Sequence, residues 1–145
     1  MHKQANLLLV EDDDVDIMGM KRAFKKLKIA NPFHIAKDGI QALEMLRGEN
    51  GQEKLDGPYI ILLDLNMPRM GGLEFLDVIR SDADLKNAIV FVMTTSSADQ
   101  DICAAYDKNI AGYILKSNAD EAFQRALELI DHYWRIVELP VSSHT

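Results

Sequence analysis

Cysteine is almost absent from this 145-residue chain, which has Cys103 alone. An intramolecular disulfide is impossible, and no cysteine-rich metal cluster can form. A reducing compartment suits such a chain, and a cytoplasmic location is expected. Long apolar runs are missing too. None approaches the roughly 18 residues that a membrane span needs, and the run inside "MHKQANLLLVEDDD" is too short for a signal peptide. Positive charge is in deficit. The net charge of −7 argues against a nucleic-acid surface as the main business of the domain. The histidines His2, His34, His132 and His144 are scattered, with no ligand partner by spacing. Internal repeats and low-complexity tracts are also lacking.

What is present is a strict alternation of short apolar runs with amphipathic helical patterns. The runs are "NLLLV" (6–10), "FHIA" (33–36), "YIILL" (59–63), "IVFVM" (89–93) and "GYIL" (112–115). Between them, Ile17, Met20, Ala23, Phe24 and Leu27 share one helical face, as do Ile40, Leu43 and Leu46, then Leu73, Leu76 and Ile79. The last helix carries Ala122, Ala126, Ile130, Tyr133 and Val137. Asp38 to Gln41 and Ser97 to Gln100 read as capping boxes, and Gly48 as a C-cap. The polar loop 48–58 reads as surface, and the tail after Trp134 ends polar.

Five β–α repeats with strands apolar on both sides specify an α/β fold: a doubly wound, five-stranded parallel sheet with helices on both faces. The expected architecture is flavodoxin-like, with strand order 2-1-3-4-5. Ligands of such sheets bind at the carboxyl ends of the strands, near the switch point flanked by strands one and three.

Polar residues sit at those ends. Glu11 and Asp12 follow strand one, Asp64 follows strand three, Thr94 follows strand four and Lys116 follows strand five. Acids here can cap the first helix, and for Asp13 or Asp14 that reading suffices. It does too little for Glu11, Asp12 and Asp64. Three anions ~6 Å apart repel by roughly 2–3 kcal/mol per pair at an effective dielectric of 20. They need a cation or a raised pKa. Oxygen-only ligands point to Mg2+, with a further oxygen available from the backbone carbonyl of Asn66. Pro68 keeps this loop out of strand pairing. Thr94 and Lys116 are groups that hold a tetrahedral oxyanion, and the set together suggests phosphoryl transfer onto Asp64. Taken singly, Lys116 could be a solvated lysine and Thr94 a helix cap.

The segments "LLLVEDD", "ILLDLNMPRMGGLEFL", "VMTTS" and "GYILKS" resemble the receiver domain of two-component response regulators over residues 5–137, leaving 138–145 as a C-terminal arm. The resemblance implies that Asp64 is the phosphoacceptor, Glu11 and Asp12 the metal-binding acids, and Asn66 the carbonyl donor to Mg2+. It implies that Thr94 is the switch hydroxyl, Tyr113 the switch aromatic, Lys116 the family lysine and Gly72 the glycine closing the active-site loop. The long loop before strand three, "MTTSSADQDICAAY" and "IDHYWRIVELP" are similar to single-domain regulators serving phytochromes. That narrower likeness implies a histidine kinase partner of phytochrome type, and a homodimer through helices four and five and the C-terminal arm. Receivers of this kind signal by protein contact, and the receiver accounts for the chain without an output domain.

Two residues depart from the family pattern. Ser117 stands where most receivers have a proline after a cis peptide bond, which leaves the Lys116–Ser117 geometry open. Gly71 stands where Asp or Asn is common. Two surfaces carry double readings. The first helix is rich in Lys21, Arg22, Lys25, Lys26 and Lys28, either a solvated face or a kinase-docking face with Val15 and Met18. Leu129, Tyr133 and Ile136, near Trp134, are either extra core or a dimer strip with "VELP" as an exchanged arm. Two other functions compete: an aspartyl phosphatase or phosphotransferase of the haloacid dehalogenase type, and a binding module that has lost phosphorylation. Asn66 stands where the dehalogenase pattern has a second Asp.

Overall fold

The computed structural model describes residues 5–116 and 120–136, with side chains described to residue 116 and from 124 to 133. Strands and helices alternate: β1 (Asn6–Val10), α1 (Asp14–Lys26), β2 (Phe33–Ala36), α2 (Gly39–Arg47), β3 (Tyr59–Leu63), α3 (Gly72–Arg80), β4 (Ile89–Thr94), α4 (Asp99–Tyr106), β5 (Gly112–Leu115) and α5 (Asp120–Ile136). The strands form one parallel sheet in the order β2-β1-β3-β4-β5. This is the expected flavodoxin-like arrangement.

The pleat explains why the strands are apolar throughout, since successive side chains face opposite sides of the sheet. Leu8, Val10, Ile61, Leu63, Val90 and Val92 pack on Leu43 and Leu46 of α2, Phe75, Leu76 and Ile79 of α3, and Ala105 of α4. Leu7, Leu9, Ile60, Leu62, Phe91 and Met93 pack on Ile17, Met20, Ala23 and Phe24 of α1 and on Ala126, Leu127 and Ile130 of α5. Tyr133 stands edge-on to Phe91, with ring centroids 5.2 Å apart, so it belongs to the core. Leu129 is exposed. Ala122, Trp134, Ile136, Val137 and the "VELP" arm lie outside the described side chains.

Helix starts follow local chemistry, with two departures from the expected boxes. The Asp38 carboxylate accepts the Gln41 N–H, but Gln41 accepts from the Lys37 N–H rather than from Asp38. Gly48 ends α2 with φ 71°. The Ser97 box does not form: Ala98 is the N-cap of α4 without a side-chain bond, and Ser96 donates to Asp101 at 2.6 Å instead. Loop 48–58 is not wholly surface. Leu55 is buried against the α2 side of the core, and its N–H donates to the Met45 carbonyl.

A single arginine ties the far edge of the sheet. The Arg80 guanidinium at the end of α3 donates to the carbonyls of Lys86, Ala88, Lys108 and Asn109 at 2.7–3.1 Å. It holds the entries to β4 and β5 together. Among the described residues no helix is long and apolar enough to cross a membrane. Removing the guanidinium leaves two partly buried carbonyls, those of Ala88 and Lys108, without this donor, so Arg80→Ala is expected to cost about 2–3 kcal/mol in urea unfolding. Arg80→Lys should recover only part of this, because a point ammonium cannot span the same carbonyls.

Candidate functional site

The sheet delivers its polar residues to one edge. Glu11 follows β1, Asp64 follows β3, Thr94 ends β4 and Lys116 follows β5. The ladder continues into the first residues past the strands: the Asp64 N–H donates to the Val10 carbonyl at 3.0 Å, and the Lys116 N–H to the Thr94 carbonyl at 2.8 Å. Backbone pairing therefore fixes where these side chains begin.

One carboxylate oxygen from each of Glu11, Asp12 and Asp64 lies within 4.8 Å of the others. Glu11 and Asp64 are buried, whereas Asp12 is exposed. Lys116 closes the cluster. Its side chain is 8% exposed, which rules out the solvated-lysine reading. The ammonium pairs directly with Glu11, lies 2.9 Å from Asp16 and 3.8 Å from Asp64. Burial raises the Glu11 carboxyl to about 7, against the pull of Lys116 and with the help of Asp64. Burial also opposes the charge on Lys116, but the hydrogen bonds and charges of its acidic partners outweigh that and hold it above its usual value.

Asp16 is the residue that the sequence reading missed. The two acids before it have local uses: Asp13 caps α1 through the N–H groups of Val15 and Asp16, and Asp14 pairs with Lys37. The available signal was an acid in the first turn of a helix whose N-terminus faces the carboxyl edge.

Thr94 is fully buried, and its hydroxyl accepts the Ser96 N–H at 3.4 Å rather than capping α4. Tyr113 is half-buried, and its hydroxyl donates to the Ser96 carbonyl at 2.8 Å. Both thus meet the β4–α4 loop. Asn66 is exposed in the loop between β3 and α3.

That loop is strapped from below. Arg69, in the left-handed region with φ 62°, turns the chain and sends its guanidinium back to Asp38 in a two-pronged pair at 2.7 and 3.0 Å. The Gly39 N–H donates to the Met70 carbonyl, and the Gly72 N–H to the Leu65 carbonyl. Gly72 is required by space. A Cβ there would stand 2.6 Å from the Asp64 carbonyl oxygen and 2.7 Å from the Leu65 Cα. Gly71 is the N-cap of α3 and offers no side-chain bond. The peptide bond between Lys116 and Ser117 lies outside the described residues.

The donor set fits a divalent cation. All three clustered ligands are hard oxygens, with no imidazole or thiolate in the cluster among the described residues. Among the described residues, Glu11, Asp16 and Asp64 share the Lys116 ammonium and Asp12 joins Glu11 and Asp64, an excess of acid that a dication would offset.

Comparison with known proteins agrees with this geometry. Residues 7–128 match the family model described as response regulator receiver domain. The chain is 33% identical over 137 residues to response regulator Rcp1 of Synechocystis, covering 94% of this chain and 93% of that protein. Over 129 residues it is 36% identical to "Probable methanogenesis regulatory protein FilR2" of Methanothrix harundinacea, covering 88% and 82%. Among solved structures, the phosphorylated cyanobacterial phytochrome response regulator RcpA superposes with a TM-score of 0.85 at 33% identity, over 97% of this chain and 99% of that one. The Mn2+-bound form of Rcp1 gives 0.83 at 32% identity, over 94% and 99%.

The packing at Gly72 makes a direct prediction. Gly72→Ala must displace the backbone of Asp64 or Leu65, costing about 1–3 kcal/mol in denaturant unfolding and weakening Mn2+ binding. Gly71→Ala, whose Cβ would meet the Leu65 carbonyl only at 3.4 Å, should cost less and leave Mn2+ affinity unchanged.

Proposed function

The chain belongs to the response regulator receiver domain family, and on that premise we propose that Asp64 accepts a phosphoryl group from a histidine kinase. The observation that carries this reading is the convergence of Glu11, Asp12 and Asp64 within 4.8 Å, beside a buried Lys116. The chain acts as a phosphoacceptor switch, not as a turnover enzyme. Family membership, together with Asn66 where a second acid would be needed, sets the phosphatase alternative aside.

In the proposed step an Asp64 carboxylate oxygen forms a bond to phosphorus as the bond from phosphorus to the donor nitrogen breaks. The leaving histidine keeps that electron pair. Glu11, Asp12, Asp64 and the Asn66 carbonyl would hold Mg2+, which when bound supplies positive charge to the phosphoryl oxygens. Lys116 adds an ammonium on the same side, with the Asp64 oxygen 3.8 Å away and free to attack. Thr94, at the end of the neighbouring strand β4, is fully buried.

Phosphorylation adds about −1.5 to −2 charge. Thr94 then donates toward the phosphoryl oxygens and Tyr113 leaves the Ser96 carbonyl to turn inward, re-forming the surface of α4 and β5. This is a shift between two packings that the phosphoryl group biases. The receiver unit is read as residues 5–137, with 138–145 as the arm. Tyr106 of α4, Leu115 of β5 and Leu129 of α5 are exposed apolar side chains and support a homodimer on this face. The exposed Val15 and Met18 beside the basic residues of α1 support kinase docking. The likeness to Rcp1 and RcpA supports a kinase of phytochrome type, and the site chemistry a cytoplasmic location, which cell fractionation checks.

Acetyl phosphate with Mg2+ should add one acid-labile phosphoryl group by mass spectrometry, and Asp64→Asn should abolish it. Sizing chromatography before and after reads the dimer, and a panel of kinases including phytochrome types reads the partner. Labelling that survives Asp64→Asn would move the acceptor elsewhere, and a monomer in both states would remove the pairing face.

A further inference from the structure

Lys116 is short of freedom and rich in partners. Its ammonium has three N–H donors. Glu11 takes one, Asp16 lies at 2.9 Å, and Asp64 stands at 3.8 Å, beyond hydrogen-bond reach. With the side chain 8% exposed, little water reaches the ammonium to replace a lost partner. A buried ammonium left unpaired is costly.

Cation binding threatens that pairing. Both Glu11 oxygens are already engaged, Oε1 by Lys116 and Oε2 by the Asp13 N–H at 3.3 Å. A dication that takes Glu11 competes directly with Lys116. Asp64 is a poor substitute, because an ammonium bonded to it would block the oxygen that must attack. Asp16 lies outside the three-carboxylate cluster. Its place in the first turn of α1 is set by the helix, and its N–H is held by the Asp13 cap. It is the acid that neither the cation nor the phosphoryl group claims.

We infer that Asp16 is a positioning residue: it retains the Lys116 ammonium when a divalent cation occupies Glu11, Asp12 and Asp64, and keeps it beside Asp64 rather than on it. The inference rests on the proposed cation site. It makes Asp16 important to cation affinity without making it a ligand.

The test is a double-mutant cycle. Mn2+ is titrated calorimetrically into the full chain, into Asp16→Ala, into Lys116→Met and into the double variant. Asp16→Ala is expected to weaken Mn2+ binding by about tenfold, the scale of one charge-assisted hydrogen bond. In the Lys116→Met background the same change should cost less than about twofold, since there is no ammonium to retain. Both members of that second pair share whatever Lys116→Met does to Glu11. An equal loss in the two backgrounds would mean a plain charge effect or direct ligation, and would overturn the inference. Failure of the unaltered chain to bind Mn2+ would instead overturn the proposed cation site.

A second readout is the Lys116 ammonium in 1H–15N spectra of the Mg2+-loaded chain. Its slowly exchanging signal should persist in the unaltered protein and vanish in Asp16→Ala. Persistence in the variant counts against Asp16. Circular dichroism melting confirms that each variant is folded. Asp16→Asn, which keeps an acceptor oxygen without the charge, should fall between and carries the comparison if Asp16→Ala does not fold.

Discussion

One ammonium among four carboxylates governs the carboxyl edge of this sheet. Two like charges 4.8 Å apart repel by about 3–4 kcal/mol at an effective dielectric of about 20. Lys116 is what makes a buried Glu11 tolerable beside a buried Asp64. Burial still raises the Glu11 carboxyl to about 7, in spite of Lys116 and with a smaller push from Asp64. A site left short of positive charge is one that a dication can complete.

The scaffold converts that electrostatic need into fixed geometry. The central strands β1, β3 and β4, buried on both faces, cannot shift register without exposing one core or the other. Their ends therefore present Glu11, Asp64 and Thr94 at set positions, and backbone pairing with Thr94 sets Lys116. The loops are held separately: Gly72 lets α3 press against the Asp64 backbone, and Arg69 binds the intervening turn to the start of α2. The β4–α4 loop is held more lightly, by the Tyr113 and Ser96 hydroxyls and the Thr94 oxygen. Rigid anchoring on the acid side and a few exchangeable hydrogen bonds on the other suit the shift between two packings proposed for α4 and β5.

The strand limits were legible because their signal is local. Runs of doubly buried residues between turn residues admit one reading, and the strands fall where the apolar runs do, with β4 extended to Thr94. Leu55 was hidden because one leucine in a polar loop has no periodicity. Ser97 was misread because the box motif fits two adjacent serines, and Ser96 is the one whose hydroxyl meets Asp101. Arg80 gave no signal at all, since its partners are backbone carbonyls up to 29 residues away.

From the sequence alone came the fold class, the order of elements and the identity of the acids, lysine and threonine at the strand ends, because residue type and local pattern carry that information. Tertiary structure alone decided which acid Lys116 holds, that Asp16 joins it from 100 residues away, and that Asp38 grips Arg69 across 31. Such pairings depend on where folded helices bring long side chains together, and no spacing along the chain encodes that distance.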